Sequence, residues 1–131
     1  PTFDARKNLK TPCDAAEFLR AILESEPVEV FVVVPLTIKF RVLGYHELSR
    51  GCIDSTPAHP REVFKIALLA NSACVLLGHN HPSGDPSPSM DDVDLTARLL
   101  QAGKLLGIEV VDHVIIGHDD RYYSFKEGGR I

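Results

Sequence analysis

From residue 11 to residue 23 apolar side chains recur every three or four positions, and Ala16, Leu19, Ile22 and Leu23 fall on one helical face. Thr11-Pro12-Cys13-Asp14 has the form of a helix start, with proline tolerated in the first turn, and the helix is expected to end before Pro27. The period then changes. Val28 to Val34 is a β-branched run in which Glu29 is the single polar residue, the pattern of a central strand. Pro35 to Lys39 reads as a turn or bulge, and Phe40 to Leu48 as a second strand that pairs back in a hairpin. Ser49-Arg50-Gly51 turns the chain, and Cys52 to His59 forms a connecting loop.

Pro60 opens a helix to about Asn71, with Val63, Ala67 and Ala70 on one stripe and Phe64 and Leu68 beside it. Arg61 and Lys65 lie on its exposed stripe. A compact apolar run, Ala73 to Leu77, reads as a buried strand that continues to His79. Leu95, Leu99, Ala102 and Leu106 return to helical spacing in a helix from Met90 to about Leu106, ended by Gly107. Ile108 to Gly117 is a strand broken in polarity by Asp112-His113. His118-Asp119-Asp120 turn the chain into a last short strand, Arg121 to Phe125. Residues 1–10 are mixed and polar, a loose lead-in. The order α-β-β-α-β-α-β-β implies a mixed sheet with helices packed against it, α/β or α+β by class.

At 131 residues, with 44% hydrophobic and 24% charged side chains, the chain has the make-up of one ordinary globular domain with its own core. No apolar run approaches the roughly 20 residues that span a bilayer, so no membrane partner is expected. Nothing at the N-terminus resembles a signal peptide, and Pro1 suggests a piece of a longer chain. Cys13, Cys52 and Cys74 are isolated and odd in number, which fits a reducing cytoplasm and no disulfide framework. The net charge of −4 gives no broad electrostatic footprint for nucleic acid, so direct nucleic-acid binding by this stretch is not expected.

The chemistry concentrates between Gly78 and Asp92. His79 and His81 sit two apart at the end of a strand, so their imidazoles leave one face and can close on one ion; alone, such a pair also fits an ordinary polar strand end. Pro82, Pro86 and Pro88 stiffen the following loop. Ser89-Met90-Asp91-Asp92 has the Ser-x-x-Asp form of a capping box, and Asp92 falls in the first helical turn, where the loop can fold it over the histidines. Two neutral imidazoles, a carboxylate and a vacant position make the usual catalytic zinc arrangement, one zinc per chain.

His-x-His-Pro, six residues, Ser, two residues, Asp resembles the signature of the JAMM (JAB1/MPN/Mov34) metalloenzymes. The string His79 to Pro86, with Val63 in His59 to Phe64, Ser49-Arg50-Gly51 and Asp112 to Gly117, is similar more narrowly to the JAB domain of bacterial RadC proteins. The likeness runs from about Thr11 to the C-terminus, so residues 1–131 are read as a single RadC-type JAB/MPN domain. The helix-hairpin-helix region that RadC proteins usually carry ahead of it is not in this sequence. The resemblance implies an MPN-type, partly curled mixed sheet with a zinc site at one edge. It also implies hydrolysis of a peptide or isopeptide amide in an unidentified peptide or protein. His79, His81 and Asp92 would be the metal ligands, Ser89 the stabiliser of the oxyanion, and Glu29 the general base.

Ser89 also fits a plain N-cap. Glu29 is favoured over Glu47 because a carboxylate in an apolar strand is costly unless used, and desolvation would tune it toward a base, whereas Glu47 lies near a strand end beside His46 and Arg50; the alternative is that Glu29 only marks the exposed first residue of its strand. Asp112-His113 supports the site from behind or forms a polar ladder. His46, His59 and His118 read as ordinary histidines, and Asp85 as a substrate-amine contact or a solvated loop acid. Asn80 stands where the broad family carries Ser or Thr, though RadC-type domains carry Asn there. The hairpin Leu36 to Phe40 lacks the family's Asp-rich or Asn/Gly turn, and Cys52 stands where Thr is common. The rival reading is a DNA-repair-associated nucleic-acid-binding or protein-interaction module without catalysis.

Overall fold

The computed structural model describes residues 8–51 and 58–131. The elements are α1 (Pro12–Leu23), β1 (Val30–Leu36), β2 (His46–Arg50), α2 (Pro60–Leu69), β3 (Cys74–Asn80), α3 (Met90–Leu106), β4 (Glu109–Ile116) and β5 (Tyr122–Ser124). They occur in the order that the apolar periodicity predicts. The strands form one mixed sheet, β2-β1-β3-β4-β5. β3 and β4 run parallel, joined across α3, and every other neighbouring pair is antiparallel. The class is mixed α/β, consistent with a JAB/MPN fold.

Each sheet face carries its own core, because successive side chains of β1 point to opposite sides. Val30, Val32, Val34 and Leu36 pack with Leu19 and Leu23 of α1. Phe31 and Val33 pack with Val63 and Phe64 of α2 and Leu95 and Leu99 of α3. The result is three layers, with the sheet in the middle. Gly78 admits α1 to the sheet, since a Cβ there would lie 2.7 Å from Leu19 Cδ1. Among the described residues no helix is long and apolar enough to cross a membrane.

Several boundaries differ from the sequence reading. β1 begins at Val30, so Glu29 stands just ahead of the strand, and Pro35 and Leu36 belong to it. Pro35 is tolerated because its carbonyl, and with it its nitrogen, faces the β2 side beyond the last β2 pair, Val33–His46; there it accepts the Leu43 N–H at 2.9 Å. The second strand starts only at His46 and includes Ser49 and Arg50. Phe40 at φ 62° and Gly44 at φ 154° interrupt the extended run between them. The lead-in is anchored at its end: Leu9 is buried, its N–H donates to Phe40 O at 2.8 Å, and Asn8 bridges to Arg41. Most of the expected lead-in and of the loop from Cys52 to His59 lies outside the described residues.

A register shift between β3 and β4 sets up the site. Val75 pairs with Val110, but Leu76 pairs with Asp112, so Val111 is the extra residue of a β-bulge. The bulge changes the phase of β4. Val110 and His113 both face α3, while Asp112 points away from it.

Candidate metal site

β3 is the central strand, so the histidines lie at its C-terminal end and not on an edge strand. His79 is the penultimate residue of β3. His81 lies one residue past the strand and extends its ladder, donating its N–H to Ile116 O at 3.0 Å. The two imidazoles leave one face, and their Nε2 atoms are 3.1 Å apart. The N-terminus of α3 is brought beside them by the Pro82–Pro88 loop.

Ser89 caps that helix reciprocally. Its Oγ accepts the Asp92 N–H at 3.0 Å, and its own N–H donates to Asp92 Oδ2 at 2.9 Å. The cap thus aims the Asp92 carboxylate: Oδ1 lies 3.3 Å from His79 Nε2 and Oδ2 3.2 Å from His81 Nε2. Glu29 approaches from the β1 side, with Oε1 3.8 Å from His81 Nε2. Ligand atoms of Glu29, His79 and His81 all lie within 4.8 Å of one another, a possible metal-binding cluster. Two carboxylates therefore face the histidine pair, and Asp92 is the nearer and the better anchored.

The charges follow from this packing. Burial pushes the Asp92 carboxyl up, but the hydrogen bonds from His79 and His81 outweigh it and hold the group well below the usual carboxylate range. The Asp92 carboxylate in turn raises the His81 imidazole against an opposing effect of burial, helped by the Asp85 carbonyl 2.9 Å from His81 Nδ1. Burial, reinforced by His79, keeps His113 well below the ordinary histidine range.

Behind the pair, His79 Nδ1 lies 2.8 Å from His113 Nε2, and His113 Nδ1 lies 2.6 Å from Thr96 Oγ1. His113 thus supports His79. Its neighbour Asp112 ties β4 to the C-terminal turn instead, accepting from Ser124 Oγ at 2.6 Å, His113 N at 2.7 Å and Lys126 N at 3.0 Å. Phe31 stacks on His79 and Phe125 on His113, with ring centroids 5.6 and 4.7 Å apart.

The burial expected of Glu29 is not found. Its side chain is 33% exposed, because it precedes β1 and stands at the rim of the site. Glu47 is held elsewhere, bidentate to Arg50 at 2.7 and 3.2 Å. Asp85 pins its own loop through the Ser87 N–H at 3.0 Å and hydroxyl at 2.8 Å. His59 is the N-cap of α2, its Nδ1 accepting the Arg61 N–H at 3.1 Å. His118 donates its N–H to Gly84 O, packs against Gly84, and is held with the loop by Arg121, whose Nη2 donates to Gly84 O at 2.8 Å.

Three contributors were missed in the sequence: Asn80, Thr96 and Arg121. For Thr96 a signal existed, since it lies four residues after Asp92 on the same helical face. Asn80 sits between the histidines and points to the other face. Nothing local marks Arg121.

A three-layer α/β domain with a histidine–carboxylate cluster at the end of its central strand defines the class. The profile of the RadC-like JAB domain matches residues 9–130, and the chain belongs to that family. Among curated relatives, a UPF0758 protein of Desulfitobacterium hafniense is 48% identical over 124 residues, covering 95% of this chain and 54% of that protein. One from Moorella thermoacetica is 46% identical over 123 residues, 94% of this chain and 53% of the relative. One from Methanosarcina mazei is 41% identical over 126 residues, 96% of this chain and 55% of the relative. The chain spans about half the length of these curated relatives.

Proposed function

We propose that this domain is a zinc-dependent hydrolase that cleaves a peptide or isopeptide amide, with His79, His81 and Asp92 as ligands. One observation carries the reading: the two imidazole Nε2 atoms lie 3.1 Å apart and Asp92 reaches both, with Oδ2 3.2 Å from His81 Nε2 and Oδ1 3.3 Å from His79 Nε2. Tetrahedral zinc with bonds of about 2.0–2.1 Å requires donor–donor edges of about 3.3 Å, so the residues fit the ion. Zinc held there supplies Lewis acidity and brings the pKa of water down to roughly 7.

The remaining steps belong to the chain. Glu29, at the rim and outside the proposed ligand set, takes a proton from the attacking water and returns it to the leaving amine. The Ser89 hydroxyl accepts from Asp92 N–H through its oxygen, so its own proton stays available to the oxyanion that forms on the scissile carbonyl. Asp85 and Arg121 fix the loop over His81. The substrate is a peptide or protein in this reading, and neither a membrane nor nucleic acid is required.

Metal analysis of protein purified without chelator, followed by a quenched-fluorescence peptide library, tests the proposal. About one zinc per chain and cleavage that chelation removes and zinc restores are expected. A chain that takes up zinc at this site and cleaves nothing, bare or joined to the remainder of a full-length relative, favours the interaction-module reading.

A further inference from the structure

We propose that His113 and Thr96 are positioning residues that lock His79 in the one tautomer able to bind a metal through Nε2. The inference deepens the metal reading above and rests on it for its affinity arm. It follows from counting protons along a chain of buried hydrogen bonds. Thr96 Oγ1 lies 2.8 Å from Asp92 O, a main-chain carbonyl that can only accept, so the hydroxyl proton is committed there. The same oxygen lies 2.6 Å from His113 Nδ1 and has no second proton to give, so His113 Nδ1 carries the hydrogen and donates.

The neutral ring then has a bare Nε2, which faces His79 Nδ1 at 2.8 Å and accepts from it. With one proton held on Nδ1 by His113, Nε2 is the nitrogen left to a metal, which would displace the proton that now bonds it to Asp92 Oδ1 at 3.3 Å. The direction of every bond in the relay is set by one backbone carbonyl. That carbonyl belongs to Asp92, so the chain of bonds also joins two ligands to each other.

The fold supplies the geometry. Without the bulge at Val111, residues 110 and 112 would share the face toward α3, and His113 would point to the α1 side. The extra residue turns His113 to α3, where it is fully buried between Phe125, Phe31 and Thr96. Metal-bound histidines ordinarily rest their other nitrogen on a carboxylate, carbonyl or water. Here a second histidine takes that place, and it supplies an acceptor only while Thr96 holds its tautomer.

The test combines two readouts. Long-range 1H–15N correlation on imidazole-labelled protein should show His113 with a proton on Nδ1 and a bare Nε2, metal-free and zinc-loaded alike. Zinc affinity by chelator competition should fall on the order of 10- to 100-fold in Thr96→Val, which keeps the side-chain shape and removes the hydroxyl. Thr96→Ser should restore it to within about 3-fold. Circular dichroism verifies that both variants are folded. A proton on His113 Nε2 in the parent protein overturns the proposal, as does Thr96→Val with parental zinc affinity. Failure of the parent to bind zinc at all would sink the metal reading alone, and the His113 spectrum would still decide the relay.

Discussion

The side-chain carbonyl of Asn80 accepts the Val30 N–H at 2.7 Å, and its amide donates to Val28 O at 3.0 Å. One side chain, set between two candidate ligands, thus grips the backbone on both sides of Glu29. Alternation along β3 makes this possible: His79 and His81 point to the Asp92 side, and Asn80 points to β1. The residue that departs from the broad family's Ser or Thr is therefore structural support for the proposed base.

Asn80→Ala should leave zinc affinity within a few-fold, because neither histidine depends on that amide. It should destabilise the fold by about 1–3 kcal/mol, since the buried Val30 N–H loses its partner. Turnover should drop as Glu29 loses its anchor. Denaturant melts, zinc competition and peptide cleavage on one preparation separate these effects. A variant with parental turnover would show that Glu29 needs no such support.

His81→Ala and Asp92→Ala should each lose most of the bound zinc, measured by metal analysis after gel filtration. The fold should persist in both and in chelated parent protein, because the cores on the two sheet faces contain none of His79, His81 and Asp92. A coil-like far-UV spectrum after chelation would contradict this and make the metal part of the folding energy.

Ser89→Ala removes an N-cap and a hydroxyl together. The cap should appear as about 1 kcal/mol of stability, and the lost oxyanion donor as roughly 100- to 1000-fold in turnover. Ser89→Thr keeps both groups and should recover most of each. If Ser89→Ala costs stability but keeps its rate, the serine is a cap and nothing more.

Asp112 offers a pH signature away from the ligands. Burial raises its carboxyl above the ordinary range, against the opposing hydrogen bonds from Ser124, Lys126 N–H and His113 N–H. Folding therefore disfavours its ionised form. The stability it contributes is complete below the ordinary value near ~3.9 and is lost as pH rises through the raised folded value. Asp112→Asn can still accept the two N–H groups and can donate to Ser124 Oγ. Its stability relative to the parent should therefore improve from pH 3 to pH 7 (roughly the span in which carboxyls titrate). Asp112→Ala, which strands three donors, should cost about 3 kcal/mol at pH 3 and less as the parent loses stability toward pH 7. Urea melts across the range would expose a flat Asn-minus-parent difference, the result that removes the burial argument.

The parts of this site that could be read in the sequence are those set by short spacing. His79 and His81 share a face because strands repeat every two residues, and Ser89 and Asp92 meet because a capping box closes over three. The boundaries of α3 followed for the same reason. What could not be read depends on contacts between distant segments. His113 is aimed by a bulge that exists only once β4 has paired with β3, and Asn80 acts through a strand fifty positions earlier. The start of the second strand was misplaced because Phe40 adopts a left-handed backbone, which its residue type does not announce.

Glu29 is proposed over Glu47 as the general base because of what each already touches. Glu29 Oε1 is 3.8 Å from His81 Nε2, and its carboxylate joins the histidines in a single cluster. Glu47 is committed to Arg50, which also binds Glu26 at 2.7 Å in an exposed ion network. Burial within an apolar strand does not single out Glu29, because the residue precedes β1 and keeps a third of its exposure. Position supports it instead: Asn80 fixes the backbone on either side, and the partial exposure leaves room for water and a substrate amine. Glu29→Gln should keep zinc and fold while lowering amide cleavage by at least about 100-fold, the lower range for loss of a general base. Glu47→Gln should stay within a few-fold of the parent and weaken only a surface ion pair worth about 0–1 kcal/mol. Steady-state rates on a peptide drawn from the library, at matched zinc occupancy, decide between them. A slow Glu47→Gln beside an unimpaired Glu29→Gln would move the base to the second strand and leave Glu29 as a spare ligand.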